Sequence, residues 1–156
     1  MRQMKTFILV GLLGLVVAAP ASAGWFFGAK TGPMIVDVNG VSDPVNTGVV
    51  VGYDIGAVVA DLALEAEFTT TTGEGKISGN KVELDTQALY LAVRTGGPIY
   101  LKAKGGFLQA GGDVDDSGAS YGVGVGFGIG IAQLELEYTQ SSVDPEIAFI
   151  SVGVQF

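Results

Sequence analysis

Asp113-Val114-Asp115-Asp116-Ser117-Gly118 is the stretch whose residue types and spacing come nearest to a ligand set. It matches the opening of a calcium loop, D-x-D-x-S-G. Such a loop needs a bidentate Glu at its twelfth position, and that position is Gly124. The stretch therefore reads as an acidic surface turn. The chain holds no His and no Cys. A Ser-His-Asp triad, a thiol nucleophile, thiolate metal sites, a disulfide scaffold and a lipid-anchoring Cys are excluded. No Asp/Glu pair stands out as an acid–base couple, and no group is poised near neutral pH. The expectation is no enzyme, no cofactor and no metal. A net charge of −8 disfavours nucleic acid, whose phosphates need Lys and Arg. The charges that remain informative alternate with apolar residues: Lys30, Asp54, Asp61, Glu65, Glu67, Arg94, Lys102, Lys104, Glu135 and Glu137. Both signs are present, so paired charges inside a lumen are the chemistry to expect.

Residues spaced by two are positioned by strands. Tyr121, Val123, Val125, Phe127 and Ile129 alternate with Gly122, Gly124, Gly126 and Gly128. Ala60–Thr69 sets Leu62, Leu64, Ala66 and Phe68 against Asp61, Ala63, Glu65 and Glu67. The same period runs through Trp25–Gly32, Asn46–Ile55, Leu84–Thr95, Ile99–Phe107, Gln133–Thr139 and Ala148–Phe156, which predicts eight strands. The connections alternate too. Pro33–Val45, Thr70–Glu83, Leu108–Ser120 and Gln140–Glu146 are long and polar. Gly56–Val59, Gly96–Pro98 and Gly130–Ala132 are short. That pattern predicts an up-and-down antiparallel meander.

The first residues are an address. Arg2 and Lys5 precede an uncharged run, Phe7–Ala19, followed by Ala21-Ser22-Ala23. The run is shorter than the roughly 17–25 residues of a spanning helix, and the three parts are those of a secretory signal peptide. Residues 1–23 are expected to be cleaved, leaving one domain, 24–156. The full chain of 156 residues is 48% hydrophobic and only 15% charged, so that domain can be solvated by lipid, and it would cross a membrane with strands.

The faces decide between two barrels. A soluble lipocalin-type barrel keeps its apolar face inside; an outer-membrane barrel turns it to lipid. Here the polar face is rich in glycine, as the narrow interior of eight strands requires. The aromatics form two levels: Trp25, Phe27, Tyr53 and Phe156 at the turn end, and Phe68, Phe107, Tyr121 and Tyr138 at the loop end. Such girdles mark the two membrane interfaces. The expected fold is all-β, an eight-stranded antiparallel up-and-down transmembrane β-barrel formed after removal of the signal peptide.

Three stretches carry a family resemblance. Ile150-Ser-Val-Gly-Val-Gln-Phe156, with Ile150, Val152, Val154 and Phe156 on one face, is similar to the C-terminal targeting strand of outer-membrane barrels. Ser120–Phe127 and Leu134–Tyr138 resemble their glycine-rich and charged strands. Over 24–156 the chain resembles the small OmpA/OmpX-like barrels of Gram-negative bacteria. The resemblance implies an outer-membrane location and recognition of the last strand by the barrel-assembly machinery. It also implies contact with lipid and lipopolysaccharide and a structural or surface-interaction role through four long outer loops, toward an unidentified surface partner. The barrel enzymes of similar shape use histidine, which this chain lacks. A small passive pore and a soluble periplasmic carrier are the competing readings. The strand number favours a lumen plugged by side chains over an open one.

Overall fold

Alternation becomes a closed wall. The computed structural model describes residues 24–36, 41–55, 60–73, 75–77, 80–113 and 115–156. The expected signal peptide, 1–23, and the expected turn Gly56–Val59 lie outside them. The wall comprises β1 (Gly24–Val36), β3 (Val45–Ile55), β4 (Ala60–Gly73), β7 (Leu84–Thr95), β8 (Ile99–Gly112), β9 (Ser117–Ile129), β10 (Ala132–Ser141) and β11 (Ile147–Gln155). They close in the order β1-β11-β10-β9-β8-β7-β4-β3, every pair antiparallel. Among the described residues there is no helix. Closure leaves no free edge. At the seam, Gly28 pairs with Gln155 and Thr31 with Val152. Phe27 and Phe156 exchange main-chain hydrogen bonds of 3.1 and 2.9 Å. Two tight turns use glycines at positive φ, Gly97 (111°) and Gly130 (63°), which side-chain-bearing residues rarely adopt.

The outer wall is apolar over a belt. Ile99 and Leu101 are each 64% exposed, and Leu136, Val152 and Val123 are exposed as well. Tyr121 to Ile129 spans about 26 Å of strand at roughly 3.3 Å per residue. That is about 20 Å of height at a tilt near 40°, comparable with the band of a membrane barrel.

The strands run further than the alternation predicts. β1 continues to Val36, β4 to Gly73, β8 to Gly112, and β9 begins at Ser117, all within stretches expected to be loops. The expected loops Pro33–Val45 and Thr70–Glu83 also contribute a small sheet: β2 (Val41–Ser42), β5 (Gly75–Ile77) and β6 (Asn80–Val82), in the order β2-β5-β6. The physical reason is a reversal of polarity at constant parity. Below the loop-end aromatics, β7 turns Leu89, Leu91 and Val93 outward; above them it turns Asp85 and Gln87 outward and Leu84 inward. Likewise β8 turns Phe107 outward, then Leu108 and Ala110 inward beside the outward Gln109. Met34, Val36, Leu84, Leu108, Ala110, Val143, Ile147 and Phe149 thus form an apolar cluster at the loop end of the interior. The barrel is of the membrane kind at belt height and of the water-soluble kind above it.

Phe149→Ala should therefore cost about 3–5 kcal/mol by opening a cavity in this cap. Its neighbour Ile150 faces outward, and Ile150→Ala should cost roughly 0.5 kcal/mol. Denaturant unfolding in micelles measures both, and equal losses would contradict the polarity reversal.

Candidate functional site

The charged interior lies below the cap. Strand order assigns its quadrants. β4 and β10 sit on opposite sides of the closed sheet, with β8 and β1 at right angles to them. β4 contributes Glu65 and Glu67, β10 Glu135 and Glu137; β8 contributes Lys102 and Lys104, and β1 Lys30. Arg94 comes from β7. All eight are buried, Glu65 completely, four of each sign. Each acid strand thus faces basic residues on both sides.

Contacts follow in tiers. Nearest the cap, Lys30 Nζ donates to Glu67 Oε2 (2.8 Å) and Glu137 Oε1 (2.7 Å). Lys104 donates to Glu67 and, at 2.7 Å, to Glu137 Oε1; its ammonium lies 4.0 Å from the Tyr90 ring centroid. In the next tier Lys102 Nζ is 2.8 Å from Glu65 Oε2 and 3.1 Å from both Glu135 Oε2 and Glu137 Oε2. The Glu65 and Glu137 oxygens lie off the hydrogen-bond direction, so these are ion pairs held by proximity. Nearest the turns, Arg94 donates to Glu65 Oε1 (2.6 Å), Asp54 Oδ1 (2.9 Å) and Gln155 Oε1 (3.2 Å), with Phe26 beneath its guanidinium. Tyr100 donates to Glu135 Oε1 at 2.7 Å, and Gln155 Nε2 to Glu135 Oε2 at 2.7 Å.

A hydroxyl layer separates charges from cap. Thr69 and Thr86 share a 2.7 Å hydrogen bond, Tyr90 and Ser120 one of 2.9 Å, and Asn46 Nδ2 donates to Leu84 O at 2.8 Å. Two interior cavities among the described residues measure about 10 Å³ each, room for roughly one water.

The glycines make the space. Two of the strands between acid and base strands turn small residues inward: Gly122, Gly124 and Gly126 on β9 and Gly48 and Gly52 on β3. A Cβ on Gly126 would fall within the Tyr100 ring, and one on Gly52 within the Phe26 ring. Tyr100 and Phe26 each lie over a neighbour with no side chain.

Two expectations need correction or completion. Asp61 has the inward parity of Ala63 and Glu65, yet it is exposed; it lies at the first turn of β4, where the barrel opens to water. Asp54, expected in the lumen, is half-buried at that same mouth and reaches Arg94. Of the expected interfacial aromatics, Trp25, Phe27, Phe68, Phe107, Tyr121 and Tyr138 are exposed. Tyr53 packs edge-on to Trp25 at 5.0 Å. Ile150, Val152 and Phe156 face outward, and Val154 lies beside Leu134 and Ala29 in register. The sequence reading missed the cap and the quadrants. Like-charged i, i+2 pairs — Glu65/Glu67, Lys102/Lys104, Glu135/Glu137 — were the available signal for the second.

The calcium-like stretch is a loop clamp. Asp113 Oδ2 accepts the Glu83 N–H at 2.9 Å and Asp116 Oδ2 the Asp144 N–H at 2.7 Å. The N–H groups of Asp144 and Ser117 hold the Asp116 carboxyl below the usual carboxylate range. Among the described residues, the carboxylates grouped closely enough for an ion are Glu65, Glu67 and Glu137, and lysines already fill that space.

Charges inside, hydrocarbon side chains outside and eight strands in one closed sheet define a small barrel of the outer-membrane type. The solved structures agree on the fold. The chain is similar to Ail, the attachment invasion locus protein of Yersinia pestis, with a TM-score of 0.61 at 12% identity, over 86% of this chain and 97% of that one. Ail in complex with the heparin analogue sucrose octasulfate gives 0.58 at 12% identity over the same shares. Neisserial surface protein A gives 0.54 at 14%, over 85% of this chain and 97% of that one. No family model matches the sequence, and no curated protein matches it.

Two tests follow. Lys104→Met leaves Glu67 and Glu137 under-compensated, and breaking a buried pair costs about 3–5 kcal/mol. Adding Glu67→Gln restores the balance and should recover most of that loss; equal stability of the single and double variants would contradict the network. The Asp116 clamp is depressed, so its stabilisation is complete above the unfolded carboxylate range. It is lost only as pH falls through the lowered native value. The Asp144 amide resonance should titrate at lower pH than an ordinary exposed carboxylate would produce.

Proposed function

We propose that this chain is a non-enzymatic integral outer-membrane protein, exported by a signal peptide spanning residues 1–23. Its barrel is an ion-tight anchor and its outer loops do the work. The observation that carries the reading is the inverted barrel: paired charges inside, an apolar belt outside, and an apolar cap over the loop end. The exposed belt speaks against a soluble carrier, because water does not solvate so large an apolar surface. The filled interior speaks against a passive pore. The strand ending in Phe156, closing on Phe27, suits recognition by the assembly machinery, and lipopolysaccharide surrounds such a belt in the outer leaflet. Ail's name attaches it to attachment and invasion, and one of its structures holds a heparin analogue. Both support surface contact through the loops as this chain's role.

The lysines offer a direct test. Of the Lys and Arg residues in 24–156, four lie in the lumen, and the others are Lys76 and Lys81, register partners in the small outer sheet. Trypsin added to intact cells should cut there and leave the barrel whole. Cleavage only after permeabilisation would reverse the orientation. In planar bilayers the purified protein should give no steady conductance steps; stable open steps would remove the plug.

A further inference from the structure

The loop-end girdle has a gap. On β4, β8, β9 and β10 the outward residue at that level is Phe68, Phe107, Tyr121 or Tyr138. β7 and β11 have no outward aromatic at the loop end, and on β1 and β3 the outward residues there are Thr31 and Thr47, which pair in register. Beneath them the outward row runs Val49, Ala29, Val154, Leu134 across β3, β1, β11 and β10, and Ala29 is its smallest member. The result is a groove of about 310 Å³ on the outer wall, lined by Ala29, Leu134, Val152 and Val154, with Thr31 and Thr47 at its loopward end.

The threonines have used their protons. Thr31 Oγ1 donates to Asn46 O at 3.1 Å and Thr72 Oγ1 to Val45 O at 3.3 Å. Thr47 Oγ1 lies 2.9 Å from both Thr31 Oγ1 and Thr72 Oγ1 and can donate to only one of them. The ladder therefore presents lone pairs, and a partner must bring the proton. Lys30 also borders the groove, but its side chain is buried on the lumen side of the wall. The groove offers no charge to a phosphate.

We infer that this groove binds one acyl chain of an outer-leaflet lipid whose polar end donates hydrogen bonds. Amide N–H and hydroxyl groups beside the chain, as in the lipid A anchor of lipopolysaccharide, have that chemistry. The inference rests on the outer-membrane reading. The chain lies along Ala29 and Val154 where no side chain of the barrel fills the wall, and its amide or hydroxyl meets the Thr31–Thr47 ladder. Phosphatidylcholine, which has no donor, meets the apolar walls alone.

The test reconstitutes the barrel in phosphatidylcholine vesicles containing lipid A, extracts it in mild detergent, and counts retained lipid by native mass spectrometry. Wild type should retain lipid A in preference to phosphatidylcholine. Ala29→Trp fills the groove and should lower retention by about tenfold. Ala103→Trp, on the outer wall across the barrel, should leave it unchanged. Thr31→Val with Thr47→Val should abolish the preference for lipid A. A heat-dependent gel shift reports folding of every variant. Equal retention by wild type and Ala29→Trp overturns the groove. So does cross-linking of Val152→Cys barrels into dimers with lipid retention unchanged, which makes the groove a contact between copies. Wild type that fails to insert into the vesicles refutes the outer-membrane reading instead; insertion without retained lipid A refutes only the groove.

Discussion

A charged group inside a narrow lumen must find an opposite charge within a side chain's length, because water cannot reach it in quantity. The architecture answers to that requirement. Placing acids on β4 and β10 and lysines on β8 and β1 puts unlike charges at right angles around the section and like charges across it. Lys30 and Lys104 each bridge Glu67 and Glu137, and Lys102 extends the bridging to Glu65 and Glu135. The spacing strands then have to be thin, which accounts for the glycines of β9 and β3 better than any backbone requirement does.

The second constraint is the change of solvent along each strand. At belt height the outside is hydrocarbon and the inside must hold the polar groups; above it the outside is water and the inside is Met34, Leu84, Leu108 and Phe149. Parity never changes, only the sense of the alternation. The hydroxyl layer of Thr69, Thr86, Tyr90 and Ser120 lies where one regime gives way to the other. Hydrogen-bonding groups tolerate both an ionic and an apolar neighbour there.

This reversal also explains what the sequence disclosed. Tyr121–Ile129 and Ala60–Thr69 declared themselves as strands because apolar residues alternate with glycine or with charge. Parity alone assigned Lys30, Glu65 and Glu137 to one face. The upper strand ends read as loops, since Thr70, Gln109 and Ser117 are polar and their inward partners are few. Asp61 was assigned by parity, but parity gives facing and not depth. The like-charged i, i+2 pairs mark the strands of the quadrants, but their placement depends on which strands lie four apart in a closed sheet, a property of closure. The groove at Ala29 depends likewise on neighbours from β3, β11 and β10.

The separation of the paired charges along the chain bears on the order of assembly. Lys30 and Glu137 stand 107 residues apart, and Lys30 and Glu67 stand 37 apart. An open sheet running from β1 to β8 would therefore carry Lys30, Arg94, Lys102 and Lys104 with Glu135 and Glu137 still missing. Such an intermediate cannot pass into hydrocarbon one hairpin at a time, because the β8–β9 hairpin would bring Lys102 and Lys104, and the β10–β11 hairpin Glu135 and Glu137, with no opposite charge of their own. Neutrality arrives only when β10 and β11 come round to β1. Closing the cylinder and entering the bilayer are, for this sequence, a single event.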